Sequence, residues 1–222
     1  MNSVGDAFSF QFNDPGWVGK IVVQALILII PIVGLIALAG WMLMTFDNLR
    51  AGRQELAPAG FHLSRGIGLF GVWFIYSLVL SLPGFVLSWG STANTFSNLS
   101  NSTYTSHPYT FSAASTSGSF LSLLGDLFLD FLLPSLIVMV YHYGFSGGLD
   151  VARVWRLATS NVTNSVIGGL LFFVAGLIGG IGILACCIGV FFTAAYSASV
   201  MVGVASWFER AQAVPPTPTA AA

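Results

Sequence analysis

The sequence predicts an all-α polytopic bundle of about five membrane-spanning helices, on three observations. Val166 to Phe208 runs for 43 residues without one Asp, Glu, Lys, Arg or His. A bilayer core takes about 20 apolar residues per helical span, so this run suits two spans, turning near Ala185-Cys186-Cys187-Ile188-Gly189. Only 7% of all residues are charged and 55% are hydrophobic, whereas a domain facing water carries about 25% charged residues. Mean hydropathy is +0.85. The 222 residues suit one helical bundle and leave no room for a separate soluble domain.

Residues 1–20 read as an N-terminal arm and the start of an interfacial helix. In Asn13-Asp14-Pro15-Gly16-Trp17, Asp14 fits an N-cap and Pro15 the first helical position, where its missing N–H costs nothing. Trp17 and Lys20 suit the headgroup layer, which favours an indole and a snorkelling amine. Met1 to Gly19 has neither Lys nor Arg and no continuous apolar core, so no cleavable signal peptide is expected. The single transmembrane domain is expected over 21–208. Its first segment, Ile21 to Phe46, is about 39 Å long if helical throughout. It reads as one span kinked at Pro31; the rival reading is a re-entrant pair of half-length arms folding back there.

Further spans are expected at 67–89, 120–143, 166–185 and 188–208. Asp47 to Gly66 and Gly144 to Ser165 are polar loops. Gly90 to Ser119, rich in Ser, Thr and Asn, reads as a loose loop. Residues 209–222 form a Pro/Ala tail, extended and disordered around Val214 to Thr219. Arg50, Arg53 and Arg65 lie between the first two spans, Arg153 and Arg156 between the third and fourth, and Arg210 after the last. The positive-inside rule then places both Arg-bearing loops and the C-terminus in the cytoplasm. Five spans put the N-terminus outside; a re-entrant first segment puts it inside with Lys20. Net charge is −1, so no basic surface argues for nucleic acid. Cys186 and Cys187 make no disulfide framework.

A family likeness rests on quoted residues. Phe10-Gln-Phe-Asn-Asp-Pro-Gly-Trp-Val-Gly-Lys-Ile resembles the opening of the prokaryotic membrane-protein family catalogued as domain of unknown function 4013. Ile30-Pro-Ile-Val-Gly, Gly40-Trp-Met-Leu, Asn48-Leu-Arg, Ile75-Tyr76 and Leu82-Pro83-Gly84 also fit. Gly40-Trp41 stands where the family usually has Gly-Tyr, and its Pro-Glu-Trp motif is degraded to Pro58-Ala59-Gly60-Phe61. Leu149 to Arg156 resembles the amphipathic element before the family's last two spans. The resemblance implies a bacterial or archaeal polytopic protein. It brings no activity, ligand or catalytic residue.

Asp126 and Asp130 are the sharpest candidate site. Four residues apart, they share a helix face, which Ser119 and Ser122 extend. A carboxylate in lipid is costly and belongs in a bundle interior or water, so the pair reads as an ion or proton site. The competing reading is an interfacial helix, with the true span starting near Phe131. Gly176 and Gly180, with Ala194 and Ala198, give small-residue faces that let helices approach closely in lipid. These serve packing within one subunit, a homo-oligomer, or a seat for another membrane subunit. Arg153, Trp155 and Arg156 suit a helix lying on the inner leaflet. Tyr141-His142-Tyr143 reads as an interface anchor, with His142 open to a pH-sensitive role. Cys186 and Cys187 read as packing residues. His62, His107 and His142 have no metal-ligand spacing, and no catalytic, metal or cofactor motif stands out. The expectation is a multi-pass protein of the cytoplasmic membrane without enzymatic activity or cofactor, a scaffold or accessory subunit. The alternative is a small transporter or channel using Asp126 and Asp130.

Overall fold

The computed structural model describes residues 4–100, 113–183 and 186–212. The start of the arm, the middle of the Ser/Thr/Asn-rich segment with His107, the turn residues 184–185 and the Pro/Ala tail lie outside the described residues. So do the side chains of Ser119, Cys186 and Cys187. Among the described residues every regular element is helical: α1 (Val4–Ser9), a 3-10 turn (Phe10–Asn13), α2 (Trp17–Leu28), α3 (Val33–Arg50), α4 (Leu63–Ser100), α5 (Ala113–Leu149), α6 (Val151–Ser160), α7 (Val162–Ile181) and α8 (Cys186–Ala211). The segment expected as a loose loop is helical at both ends, as the last turns of α4 and the first of α5. No proline stands between Gly84 and Ser100 to stop α4.

Among the described residues, four helices are long and apolar enough to cross a membrane: Leu63–Val86, Phe120–Leu149, Val162–Ile181 and Ile188–Ala211. The fifth expected crossing is where the structure departs from the kinked-span reading. Ile21 to Phe46 is broken into the 12-residue α2 and α3. Were α2 and α3 one rod, Lys20 and Asn48 would stand about 42 Å apart at 1.5 Å per residue. Instead both ends meet one loop. Asn13 donates to Gln54 at 2.7 Å, Lys20 to the Leu56 carbonyl at 2.7 Å, and Asn48 to the Glu55 carbonyl at 3.2 Å. Farther along, the Gly60 N–H donates to Gln24 on α2, and Trp41 on α3 to the Ala57 carbonyl. The loop thus runs parallel to α2 and antiparallel to α3, so the two helices form a hairpin. The chain folds back at Pro31, as the re-entrant alternative expects, rather than running on as one kinked rod.

The reversal has local causes. Pro31 has no N–H to continue α2. Ile32 adopts φ 64°, a left-handed conformation that is strained for a β-branched residue. The Val33 and Gly34 N–H groups then bond back to the Pro31 and Ile30 carbonyls at 2.6 and 2.8 Å. Ile29, Ile30, Ile32 and Val33 leave the tip apolar and exposed, the surface expected of a hairpin dipping into lipid. At about 18 Å, α2 is too short to cross.

The described chain divides into two compact units. The first comprises Met1–Trp73 and Asp130–Ala222, the second Phe74–Leu129. In the first, α8 is the hub: α1, α2, α3 and α7 all pack on it. Its buried residues are mostly small or β-branched (Ala195, Ala198, Val200, Val202, Val204, Ala205), closed by Phe208. Small side chains let helix axes approach where lipid removes the hydrophobic drive between helices. Along α7, Ser197 donates to the Ala175 carbonyl at 2.5 Å and Thr193 to the Gly179 carbonyl at 2.7 Å. In the second unit, Gly125 of α5 lies so close to α4 that a Cβ would stand 2.7 Å from the Leu80 carbonyl oxygen.

The tightest crossing lies where α4 leaves α3. A Cβ on Gly66 would overlap the Ile36 carbonyl oxygen and stand 2.7 Å from the Gly40 nitrogen. These are backbone atoms, which cannot swing aside. Gly66→Val is therefore expected to destabilise the protein by about 3 kcal/mol through overpacking. Gly176→Val, whose Cβ meets nothing within 4 Å, should leave the Tm in detergent within a degree or two of wild type.

Candidate functional site: the charged end of the first unit

All seven Lys and Arg residues fall in the first unit. Their bonds gather them at the end where α3 and α8 terminate. The physical reason is solvation: a cation has water and headgroups there and hydrocarbon elsewhere. Glu209, in the last turn of α8, holds this end together. Its buried carboxylate takes Arg50 of α3 at 3.2 Å on one oxygen and His142 of α5 at 2.6 Å on the other. Arg210 donates to the Leu49 carbonyl at 2.7 Å. Tyr141 donates to Asp47 at 2.5 Å, and Arg65 of α4 pairs with the other Asp47 oxygen. The Arg50 guanidinium lies 5.1 Å from the centre of the Tyr141 ring. Four helices are thus tied through two carboxylates.

These side chains flank a cavity of about 590 Å³ lined by Asp47, Arg50, Ser64, Arg65, Tyr141 and His142, with apolar walls that include Leu43, Ile67, Val140 and Phe145. Its shape follows from Gly144, where φ of 67° breaks the line of α5. That break turns Phe145 toward α4, where it packs near Gly68 and Gly71.

The sequence candidates fare differently. Asp126 is exposed and belongs to the second unit; Asp130 is half-buried and belongs to the first. Gly176 and Gly180 open outward from α7, while Ala194 is half-buried and Ala198 buried. The four residues therefore do not form one surface. Arg153, Trp155 and Arg156 are exposed on α6, which buries Val154 and Ala158. Asp150 caps this helix, accepting from the Arg153 N–H at 3.0 Å, and Arg153 lies 5.4 Å from the Tyr143 ring centre. Among the described residues, no three His, Cys, Asp or Glu side chains gather as a metal site.

His142 is what the sequence reading undervalued. Its side chain is buried against Glu209 rather than anchoring at an open interface. The available signal was Glu209 itself, an acid closing a 43-residue uncharged run on the side expected to hold Arg50 and His142.

A second carboxylate fixes the hairpin's base. Asp14 accepts from Lys20 at 2.6 Å, from the Gly16 N–H at 2.9 Å and from the Leu56 N–H at 3.1 Å. Burial alone would push its pKa up, but the Lys20 ammonium and the two N–H donors more than offset this and hold it below 3.8. A carboxyl depressed by folding contributes its full stability above its unfolded pKa, and loses it as pH falls through the folded value. Acid titration of the Tm should therefore show a loss setting in below about pH 4. Asp14→Asn should lower the neutral-pH Tm and flatten that acid limb.

The family model described as "Protein of unknown function (DUF4013)" matches residues 23–188. No curated protein and no solved structure matches the chain. With three quarters of its length matched and four apolar helices long enough to cross a bilayer, this multi-pass membrane protein belongs to the DUF4013 family.

Proposed function

We propose that the protein is a non-enzymatic scaffold or accessory subunit of a prokaryotic cytoplasmic membrane, with its charged end and C-terminus in the cytoplasm. The observation that carries this reading is how the charged end uses its ionisable groups. Asp14, Asp47, Asp150 and Glu209 are each paired with a Lys or Arg. Three of these pairs and the His142 contact join different helices or loops. They hold the bundle together rather than stand ready for proton transfer. The positive-inside rule supports the orientation, since every Lys and Arg is at this end. The open Gly176 and Gly180 surface of α7 and the exposed Arg153, Trp155 and Arg156 of α6 are where another membrane subunit, a second copy or the inner leaflet would meet the protein.

Transport is the second reading. It draws on Asp130, half-buried within a segment long enough to cross, and on the exposed Asp126 one turn away along α5. A carboxylate at such a position is disfavoured unless water or a partner attends it.

Reconstitution separates the two. The purified protein in liposomes should leave an imposed proton or potassium gradient intact, and Asp126→Asn and Asp130→Asn should change nothing. A leak abolished by Asp130→Asn would reject the scaffold and establish transport. The orientation is checked with Gln212→Cys in a Cys186→Ala, Cys187→Ala background. An impermeant thiol reagent should label it only after the cells are permeabilised; labelling of intact cells would invert the topology.

A further inference from the structure

We infer that the cavity at the charged end binds a phosphate group, supplied by an anionic glycerophospholipid headgroup or by free phosphate. The cavity lining carries Arg50, Arg65 and Asp47, and Glu209 pairs with Arg50 from outside it. Arg50, Arg65, Asp47 and Glu209 cancel formally, but they do not lie equally deep. The Arg65 and Arg50 side chains are 52% and 32% exposed, Asp47 is 31% exposed, and Glu209 only 9%. Glu209 sits behind Arg50, while Asp47, no deeper than Arg50, lines the cavity beside Arg65. The surface offered to a ligand is therefore led by two guanidinium groups.

Their geometry leaves donors to spare. A guanidinium has five N–H donors in a planar fork that matches phosphate oxygens. Arg50 meets Glu209 through Nε and also hydrogen-bonds with Tyr141, and Arg65 meets Met44 and Asp47 through Nη1. Ser64, exposed beside Arg65, adds a hydroxyl to the same cavity. A bidentate arginine contact to phosphate is the strong form of charge-assisted hydrogen bond.

The walls argue for lipid as the source. Leu43, Ile67, Val140 and Phe145 line the same cavity, and Ile67 and Phe145 are also exposed. Polar groups at one side and apolar side chains at the other fit an amphiphile entering with its phosphate first. A volume of about 590 Å³ is in the range of clefts that hold small ligands, about 300–1,000 Å³. Basic pockets between helices at a membrane face are suited to anionic headgroups. The lipid source rests on the proposed placement of this end at the inner leaflet; the phosphate site does not.

The test uses the purified full-length protein in detergent micelles, where sidedness plays no part. Thermal unfolding is followed with dioleoyl phosphatidylglycerol, with phosphate-free dioleoylglycerol, and with inorganic phosphate. Saturating phosphatidylglycerol should raise the Tm by about 5 °C over dioleoylglycerol, as expected for a ligand near 100 Kd on a chain of this size. Arg65→Gln should lose at least half of that shift. Ser64→Glu supplies the variant that keeps its fold, because an acid in the first turn of a helix is favourable. Its added negative charge should abolish the shift. Arg53→Gln, exposed and outside the cavity lining, should keep it. An undiminished shift in Ser64→Glu, or no shift with either phosphatidylglycerol or inorganic phosphate, overturns the site. Inorganic phosphate matching the lipid keeps the phosphate site and overturns the lipid as its source. A reversed topology would leave all of these results standing, so the two failures are distinguishable.

Discussion

The Asp14 carboxylate, closed by Lys20 and by the backbone at Leu56, is the constraint on which the fold turns. An ion pair of this kind is poorly placed in hydrocarbon. It forces the start of α2 to the same face as the loop that follows α3. Once that face is chosen, the apolar segment between them has to return, and Pro31 with the left-handed Ile32 lets it do so. The hairpin then gives α8 two neighbours where a single crossing would give it one. Trp41 and Thr45, both buried in α3, pin the returning arm by bonding to Ala57.

The same economy explains the far side of this end. A chain with seven basic and eight acidic residues has few charges to place, and it spends them on joints between helices. Glu209 links the ends of α3, α5 and α8, and Asp47 links α3 to α4 and α5. Removing one partner from such a joint leaves a buried charge uncompensated. The joints also set Arg50 and Arg65 in the lining of the cavity, with Asp47 beside them and Glu209 behind Arg50.

Much of the fold was legible because apolar run length and charge placement are written directly in the sequence. Val166 to Phe208 announced the α7–α8 pair, and the family likeness rested on Pro31, Gly40-Trp41 and the segment from Leu149 to Arg156. Pro31 fits both a kink and a reversal, and long-range contacts such as Asn13 meeting Gln54, 41 residues away, decide between them. The charged cavity was not legible. Its lining comes from α3, α4 and α5, and no spacing along the chain brings Arg50, Arg65 and His142 together. The Gly176 and Gly180 pair was visible as a pattern. Which way it faces depends on Ala175 and Gly179 taking the seam with α8, a rotational setting that the pattern alone does not contain.

The hairpin is the most direct point of attack, since the placement of Asp14 and Lys20 at the charged end follows from it. Asn13→Cys and Gln54→Cys, combined in a Cys186→Ala, Cys187→Ala background, replace two side chains now 2.7 Å apart. Mild oxidation of native membranes, followed by peptide mass spectrometry, reads whether they join. A return of the chain at Pro31 predicts a near-quantitative disulfide between these positions. Two reduced thiols, one reachable from each face of the membrane, would show that the segment crosses, about 30 Å from one side to the other, and would contradict the account.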